Sequence, residues 1–272
     1  MNRSDGNNSL DERYDFVREL ARRVGREALQ FWQENQETGL GVQSKGLQDF
    51  VTLADQQAEA TIRSELARMF PADGFIGEET GGSAGAGGYW VVDPIDGTAN
   101  YLRGLRHWGV CIAYVTGGRT ALGVVHDSPT DRLYHARIGH GAWRDDQRIQ
   151  VSKTTDPHSA MGILGASRRI PLETYLNQIR ALYDAGIEHR KIGSAALGIV
   201  RVAEGVADFY CEAHLSCWDA LAAVLIATEA GGAANVPPMD QFIASGGGVL
   251  CSTPALAQQL QVLLAQSPGG TT

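Results

Sequence analysis

Apolar residues recur at steps of three and four along Tyr14, Val17, Ala21, Val24, Ala28 and Phe31, the spacing of one face of a long helix. Ser9 and Glu12 stand in capping-box order at its start, and residues 1–8 ahead of them read as a disordered tail. Glycines, glutamines and a serine over residues 39–46 break the period and place Lys45 in a loop. Helical spacing resumes at Ala58, Ile62, Leu66 and Met69 and stops at Pro71. The rhythm then changes to short apolar runs, at Phe75-Ile76 and at Tyr89 to Val92, followed by strand patterns at 107–115, 121–126, 133–136 and 148–151. Polar turns separate them, as in an antiparallel meander. The first half therefore predicts two helices against an antiparallel sheet.

Past residue 155 strands alternate with helices. Residues 161–166, 187–192, 207–210 and 249–251 read as extended, and 172–183, 195–202, 219–230 and 254–264 as helical, with Ser194 capping the second of these. That alternation suggests a small α/β unit. The chain divides into an N-terminal α+β subdomain over 1–155 and a C-terminal α/β subdomain over 156–272, with residues 267–272 frayed.

Composition narrows the possibilities. The chain has 272 residues, 43% hydrophobic and 20% charged, ordinary for a soluble globular protein. Its first residues lack the apolar core of a signal peptide. The run 220–227 is too short to cross a bilayer, so no membrane partner is expected. Cys111, Cys211, Cys217 and Cys251 show no CxxC spacing and read as reduced thiols of a cytoplasmic protein. The seven histidines form no zinc motif. A net charge of −8 argues against a nucleic-acid partner. It also repels phosphates from an acidic cleft unless bound cations invert the local field.

One string carries chemistry: Asp93-Pro94-Ile95-Asp96-Gly97-Thr98 directly follows the apolar run. Pro94 disfavours the α region at Asp93, so the strand is expected to end there. Gly97 allows close backbone approach, and Thr98 opens a helix whose first amides lack internal partners. Two acids beside bare amides can hold a cation and a phosphate together, although Asp-Gly also closes ordinary Asx turns. Two further strings stand apart from it. Gly77-Glu78-Glu79 ends an apolar run, and Asp219 follows Trp218 in the first turn of a helix. Thr52 and Asp55 match a capping box, which by itself would account for Asp55.

Together these strings resemble the signatures of the inositol monophosphatase family of magnesium-dependent, lithium-sensitive phosphatases. The resemblance implies a layered α-β-α-β-α fold with the active site between the two halves, and a homodimer. It implies two or three Mg²⁺ ions: one held by Glu78, Asp93 and the Ile95 carbonyl, another by Asp93, Asp96 and Asp219. It assigns Asp55 with Thr98 to activating a water, the Gly97 and Thr98 amides to the phosphate, and Glu212 and Ser194 to the substrate. Glu79 and Lys45 would support the ligands from behind. The implied substrate is a small phosphorylated metabolite, inositol monophosphate first and histidinol phosphate second. A metal-binding partner protein on the same fold is the non-enzymatic alternative. Residues 105–111 and 235–242 depart from the family pattern, and Arg168 and Arg169 could meet a second anionic group.

Overall fold

The computed structural model describes residues 3–35, 39–46, 49–85 and 87–265. The first half runs α1 (Arg3–Glu34), β1 (Gln43–Gly46), β2 (Asp49–Val51), α2 (Leu53–Met69), β3 (Gly74–Gly77), β4 (Gly81–Ser83), β5 (Tyr89–Asp96), α3 (Thr98–Arg103), β6 (Gly109–Thr116), β7 (Arg119–Asp127), β8 (Arg132–Arg137), β9 (Ala142–Arg144) and β10 (Gln147–Ile149). The second half runs β11 (Met161–Leu164), α4 (Leu172–Asp184), β12 (Glu188–Arg190), α5 (Ala195–Ala203), β13 (Phe209–Leu215), α6 (Cys217–Glu229), β14 (Ala233–Asn235), α7 (Met239–Ser245), β15 (Gly247–Ser252) and α8 (Ala257–Ala265).

Strands β3 to β10 form one eight-stranded sheet in the order β10-β9-β8-β7-β6-β5-β3-β4, and the second half forms a five-stranded sheet in the order β12-β11-β13-β15-β14. Side-chain alternation splits the larger sheet between two cores. Trp90, Val92, Val110, Ile112 and Tyr114 face α1 and α2 through Val17, Leu20, Val24, Ile62 and Leu66. Val91, Cys111, Ala113, Val115 and Ala136 face the opposite way, onto α5 and α6. The same central core reaches Ile163, Tyr210 and Cys251 of the smaller sheet, whose outer face packs Leu164 and Phe209 against Leu182, Leu256 and Leu260. The expected α-β-α-β-α layering is therefore present.

Small residues let the central layer close up. A Cβ at Gly123 would overlap the backbone of Ala222, so α6 lies directly on β7. Within described residues, α6 touches β5, β6, β7 and β8 of one sheet and β14 and β15 of the other. It belongs to the second half of the chain yet rests on the first sheet.

Several local expectations change. Helix α1 begins at Arg3, within the stretch expected to be a tail, because propagating an existing helix needs no new nucleus. The strand before the central motif runs on to Asp96, with an irregularity between Asp93 and Asp96 where Pro94 has no N–H to offer. The sheets are mixed: β3 is parallel to β5, and β11 is parallel to both β12 and β13. Residues 267–272 lie outside the described residues.

Candidate active site

Strand pairing assembles the acidic corner. Gly77 at the end of β3 pairs with Val92 on parallel β5, and the Glu78 N–H donates to the Val92 carbonyl at 3.1 Å. The residues just beyond, Glu78 and Asp93, are thereby set side by side. Asp219 enters from the first turn of α6, where its carboxylate accepts the Ser216 N–H at 3.2 Å in a capping box. One oxygen from each of Glu78, Asp93 and Asp219 lies within 4.8 Å of the others.

The cost of this arrangement is electrostatic. Asp93 is 2% exposed, and its Oδ1 accepts the Ile95 N–H at 2.9 Å. Burial pushes its carboxyl well above the usual range, and the charges of Glu78, Asp96 and Asp219 push it further. Asp219 is raised for the same reasons, burial first and then Glu78 and Asp96, against the Ser216 amide, which holds it down. Three carboxylates this close in a dry setting repel unless a cation joins them. Hard oxygen donors of this kind suit Mg²⁺, so the residues fit the ion that the sequence resemblance implies.

Asp96 also ties the site to the second half of the chain. Its Oδ2 accepts the Ser194 hydroxyl at 2.5 Å and the Ala196 N–H at 2.8 Å, and its Oδ1 accepts the Ala195 N–H at 3.2 Å. It thus meets the positive end of α5, while Ser194 caps that helix through the Leu197 N–H at 3.2 Å. Burial raises the Asp96 carboxyl, and these donors oppose the rise. Ser194, expected at the substrate, lines the same cavity as the acids and also joins Asp96 to α5. Asn100 makes a second tie between the halves, donating to the His107 and Ile192 carbonyls at 2.6 and 2.8 Å.

Both readings of Asp55 coexist. Its Oδ2 accepts the Thr52 N–H at 2.8 Å while its own N–H donates to Thr52 Oγ1 at 3.3 Å, which is the capping box, and Oδ2 also accepts the Thr52 hydroxyl at 2.5 Å. Its Oδ1 lies 3.2 Å from Thr98 Oγ1, which also stands 3.0 Å from the Ile95 carbonyl. The single hydroxyl proton serves one of these acceptors at a time. Burial raises the Asp55 carboxyl, and the Thr52 and Thr98 hydrogen bonds restrain it. Gly97 opens α3 with φ 95°, the left-handed region that glycine adopts without strain. The Lys45 side chain lies outside the described residues.

The acidic corner is the floor of a cavity of about 850 Å³. Its far side carries Glu212 on β13, with Arg168, Arg169 and Lys191 at the mouth. Tyr210 donates its hydroxyl to Glu212 Oε2 at 2.5 Å. Burial lifts the Glu212 carboxyl to about 7 against the Tyr210 bond, with Asp96 adding to the rise and Lys191 and Arg169 countering it. Arg169 donates to the Ser216 hydroxyl at 2.6 Å, and so touches the cap of the helix that carries Asp219.

One residue of this neighbourhood escaped the motifs. Glu59, fully buried on α2, accepts the N–H groups of Glu79 at 2.8 Å and Thr80 at 2.9 Å. A glutamate on the buried face of an otherwise apolar helix pattern, at Ala58-Glu59-x-x-Ile62, was the available signal.

The sequence profile described as "Inositol monophosphatase family" matches residues 9–267. The chain belongs to the inositol monophosphatase family. Its members are phosphomonoesterases that use Mg²⁺. The inositol-1-monophosphatase of Rhizobium meliloti (strain 1021) is 33% identical over 237 residues, covering 83% of this chain and 86% of the relative. The Nus factor SuhB of Escherichia coli (strain K12) is 35% identical over 219 residues, covering 78% of this chain and 82% of the relative. Among solved structures, the extragenic suppressor protein suhB of Bartonella henselae matches with a TM-score of 0.84 at 30% identity, over 91% of this chain and 96% of that one. No helix among the described residues is long and apolar enough to cross a membrane.

Proposed function

We propose that this family member is a Mg²⁺-dependent phosphomonoesterase acting on a small phosphorylated polyol, with inositol monophosphate the first candidate and histidinol phosphate the second. The observation that carries the reading is the Glu78–Asp93–Asp219 cluster, opening into the same cavity as Thr98 and Glu212. Glu78, Asp93 and Asp219, with Asp96 and the Ile95 carbonyl, would hold two or three Mg²⁺. When bound, Mg²⁺ neutralises these acids, polarises the phosphate and makes water more acidic. Thr98 Oγ orients the attacking water and relays its proton toward Asp55, whose buried carboxyl takes a proton more readily than an exposed one. The Gly97 and Thr98 amides face the phosphate, and Glu212 accepts hydrogen bonds from hydroxyls of the leaving group. Glu79 and Lys45 support the ligand set. A cytoplasmic homodimer and inhibition by lithium belong to the same reading.

A second reading keeps the fold and the metal but works through a protein partner. The naming of relatives at 35% identity as Nus factors favours it. Phosphate release separates the two. A panel of inositol 1-phosphate, histidinol phosphate and fructose 1,6-bisphosphate, each with Mg²⁺ and with EDTA, should give one preferred substrate whose hydrolysis stops in EDTA. A folded, Mg²⁺-binding protein that releases phosphate from none of them would shift the weight to the partner reading.

A further inference from the structure

We propose that Glu59 is a positioning residue for the metal site, and that α2 is a strut fixing the Glu78 ligand relative to the Asp55–Thr98 pair. The inference rests on Glu78 holding Mg²⁺. Asp55 and Glu59 are four residues apart on one helix, so their side chains project from the same face about one turn apart. Asp55 meets Thr98 at 3.2 Å. Glu59, one turn on, meets the reversal that follows β3: its Oε2 takes the Glu79 N–H, and its Oε1 takes the Thr80 N–H and the Thr80 hydroxyl. On the near side of Glu78 the fit is steric, because a Cβ at Gly77 would overlap the Glu59 carboxyl. Glu78 is thus flanked on both sides by residues pressed against one buried carboxylate.

Arg63, one turn further along α2, reaches the same reversal by donating to the Thr80 hydroxyl and, at 2.9 Å, to the Gly81 carbonyl. Its guanidinium stands 3.9 Å from the Glu59 carboxylate. A fully buried carboxylate is expensive, and an apolar side chain of similar size is often at least as stable. What the apolar side chain cannot do is accept two adjacent amides at a fixed distance from Asp55. Groups behind a ligand that fix its orientation are worth roughly 10–100-fold in metal affinity.

The test is Mg²⁺ titration of the metal-free protein by calorimetry, paired with activity against Mg²⁺ concentration. In Glu59→Gln one amide N–H of the reversal faces a side-chain NH₂ instead of an acceptor. Mg²⁺ affinity should fall about 10–100-fold, and kcat at saturating Mg²⁺ should return to within a few-fold of wild type. Asp73→Asn weakens a contact in the same half of the fold, where Arg13 and Trp90 bond Asp73 far from the acids, and should leave Mg²⁺ affinity unchanged. A folded Glu59→Gln protein with wild-type Mg²⁺ affinity overturns the proposal. If that variant fails to fold, Thr80→Val decides: it removes the hydroxyl that donates to Glu59 and accepts from Arg63, and an unchanged affinity overturns the proposal equally. Wild-type protein that takes up no Mg²⁺ would instead defeat the metal reading itself, before any variant is compared.

Discussion

The two walls of the cavity are built differently. On the side of the eight-stranded sheet, the acids sit at strand and helix ends, and Asp93 and Asp96 are 2% and 6% exposed. Each is tied to backbone amides, so its position follows from the hydrogen bonding of β3, β5 and α5. On the side of the five-stranded sheet, Arg168, Arg169 and Lys191 are exposed side chains on connecting segments, while Tyr210 and Glu212 are held in β13. A wall fixed by backbone geometry is suited to chemistry that tolerates little displacement. A wall of long side chains is suited to sorting leaving groups. The two meet at α6, which comes from the second half, packs on the first sheet and delivers Asp219 to the acids.

The largest effect should come from the fixed wall. Asp93→Asn removes the most buried charge of the cluster and should cost about 10²–10³-fold or more in kcat/KM, the scale of losing one preorganised electrostatic group. Its unfolding midpoint in urea, measured in EDTA, should not fall, because repulsion from Glu78 and Asp219 is relieved. Arg168→Ala on the opposite wall should cost less than about tenfold on the same substrate, the scale of losing one exposed ion pair. Comparable losses from the two substitutions would erase the distinction between the walls.

The larger sheet also hides two histidines. His126 on β7 is fully buried, and burial drives it down to about 4, with Asp131 pulling the other way. His135 on β8 is brought down to about 4, first by burial and then by Arg18. Both are lower than in the unfolded chain, so the unfolded state binds their protons first as pH falls. Stability contributed by the neutral rings is complete above about 6.5 and is lost progressively toward about 4, on the order of a few kcal/mol for the pair. Urea midpoints followed across that window should drop, and His126→Asn should flatten the drop. A slope unchanged in His126→Asn would place acid sensitivity elsewhere.

The two walls were also unequally legible in the sequence. Asp93 and Asp96 stand out locally, at a strand end with a glycine at the reversal, whereas Glu78 and Asp219 also have ordinary local readings and are singled out by the family resemblance. Pairing between strands leaves no mark: no local pattern in residues 74–92 says that β3 runs parallel to β5, and that register is what brings Glu78 beside Asp93. Asp55 was ambiguous because a capping box and a Thr98 partner need the same residue, and it serves as both. Glu59 was passed over because its partners are amides of a reversal about twenty residues away, and amides carry no sequence mark. Ser194, which the resemblance implies at the substrate, lines the cavity, and its hydroxyl bonds Asp96 across 98 residues of chain, a tie that no local pattern marks.

An effect confined to KM concerns Glu212, where the sorting wall is most ordered. Its carboxyl lies near 7 because burial disfavours the charge, and Gly165 has no side chain that would displace it. An ionised Glu212 accepts hydrogen bonds from substrate hydroxyls; a protonated one must spend a lone pair site on its own proton. KM for a polyol phosphate should therefore fall as pH rises through about 7, with the inflection moving lower as Mg²⁺ adds positive charge nearby. Glu212→Gln keeps the shape and one acceptor, so KM should rise about tenfold, the equivalent of roughly 1.4 kcal/mol of lost binding. Mg²⁺ affinity should fall by no more than the coupling that moves the inflection, since Glu212 is outside the acid cluster. The inflection in KM should vanish in this variant. If it persists with the same midpoint, the titrating group belongs to the fixed wall, and substrate choice is not separated from chemistry in this cavity.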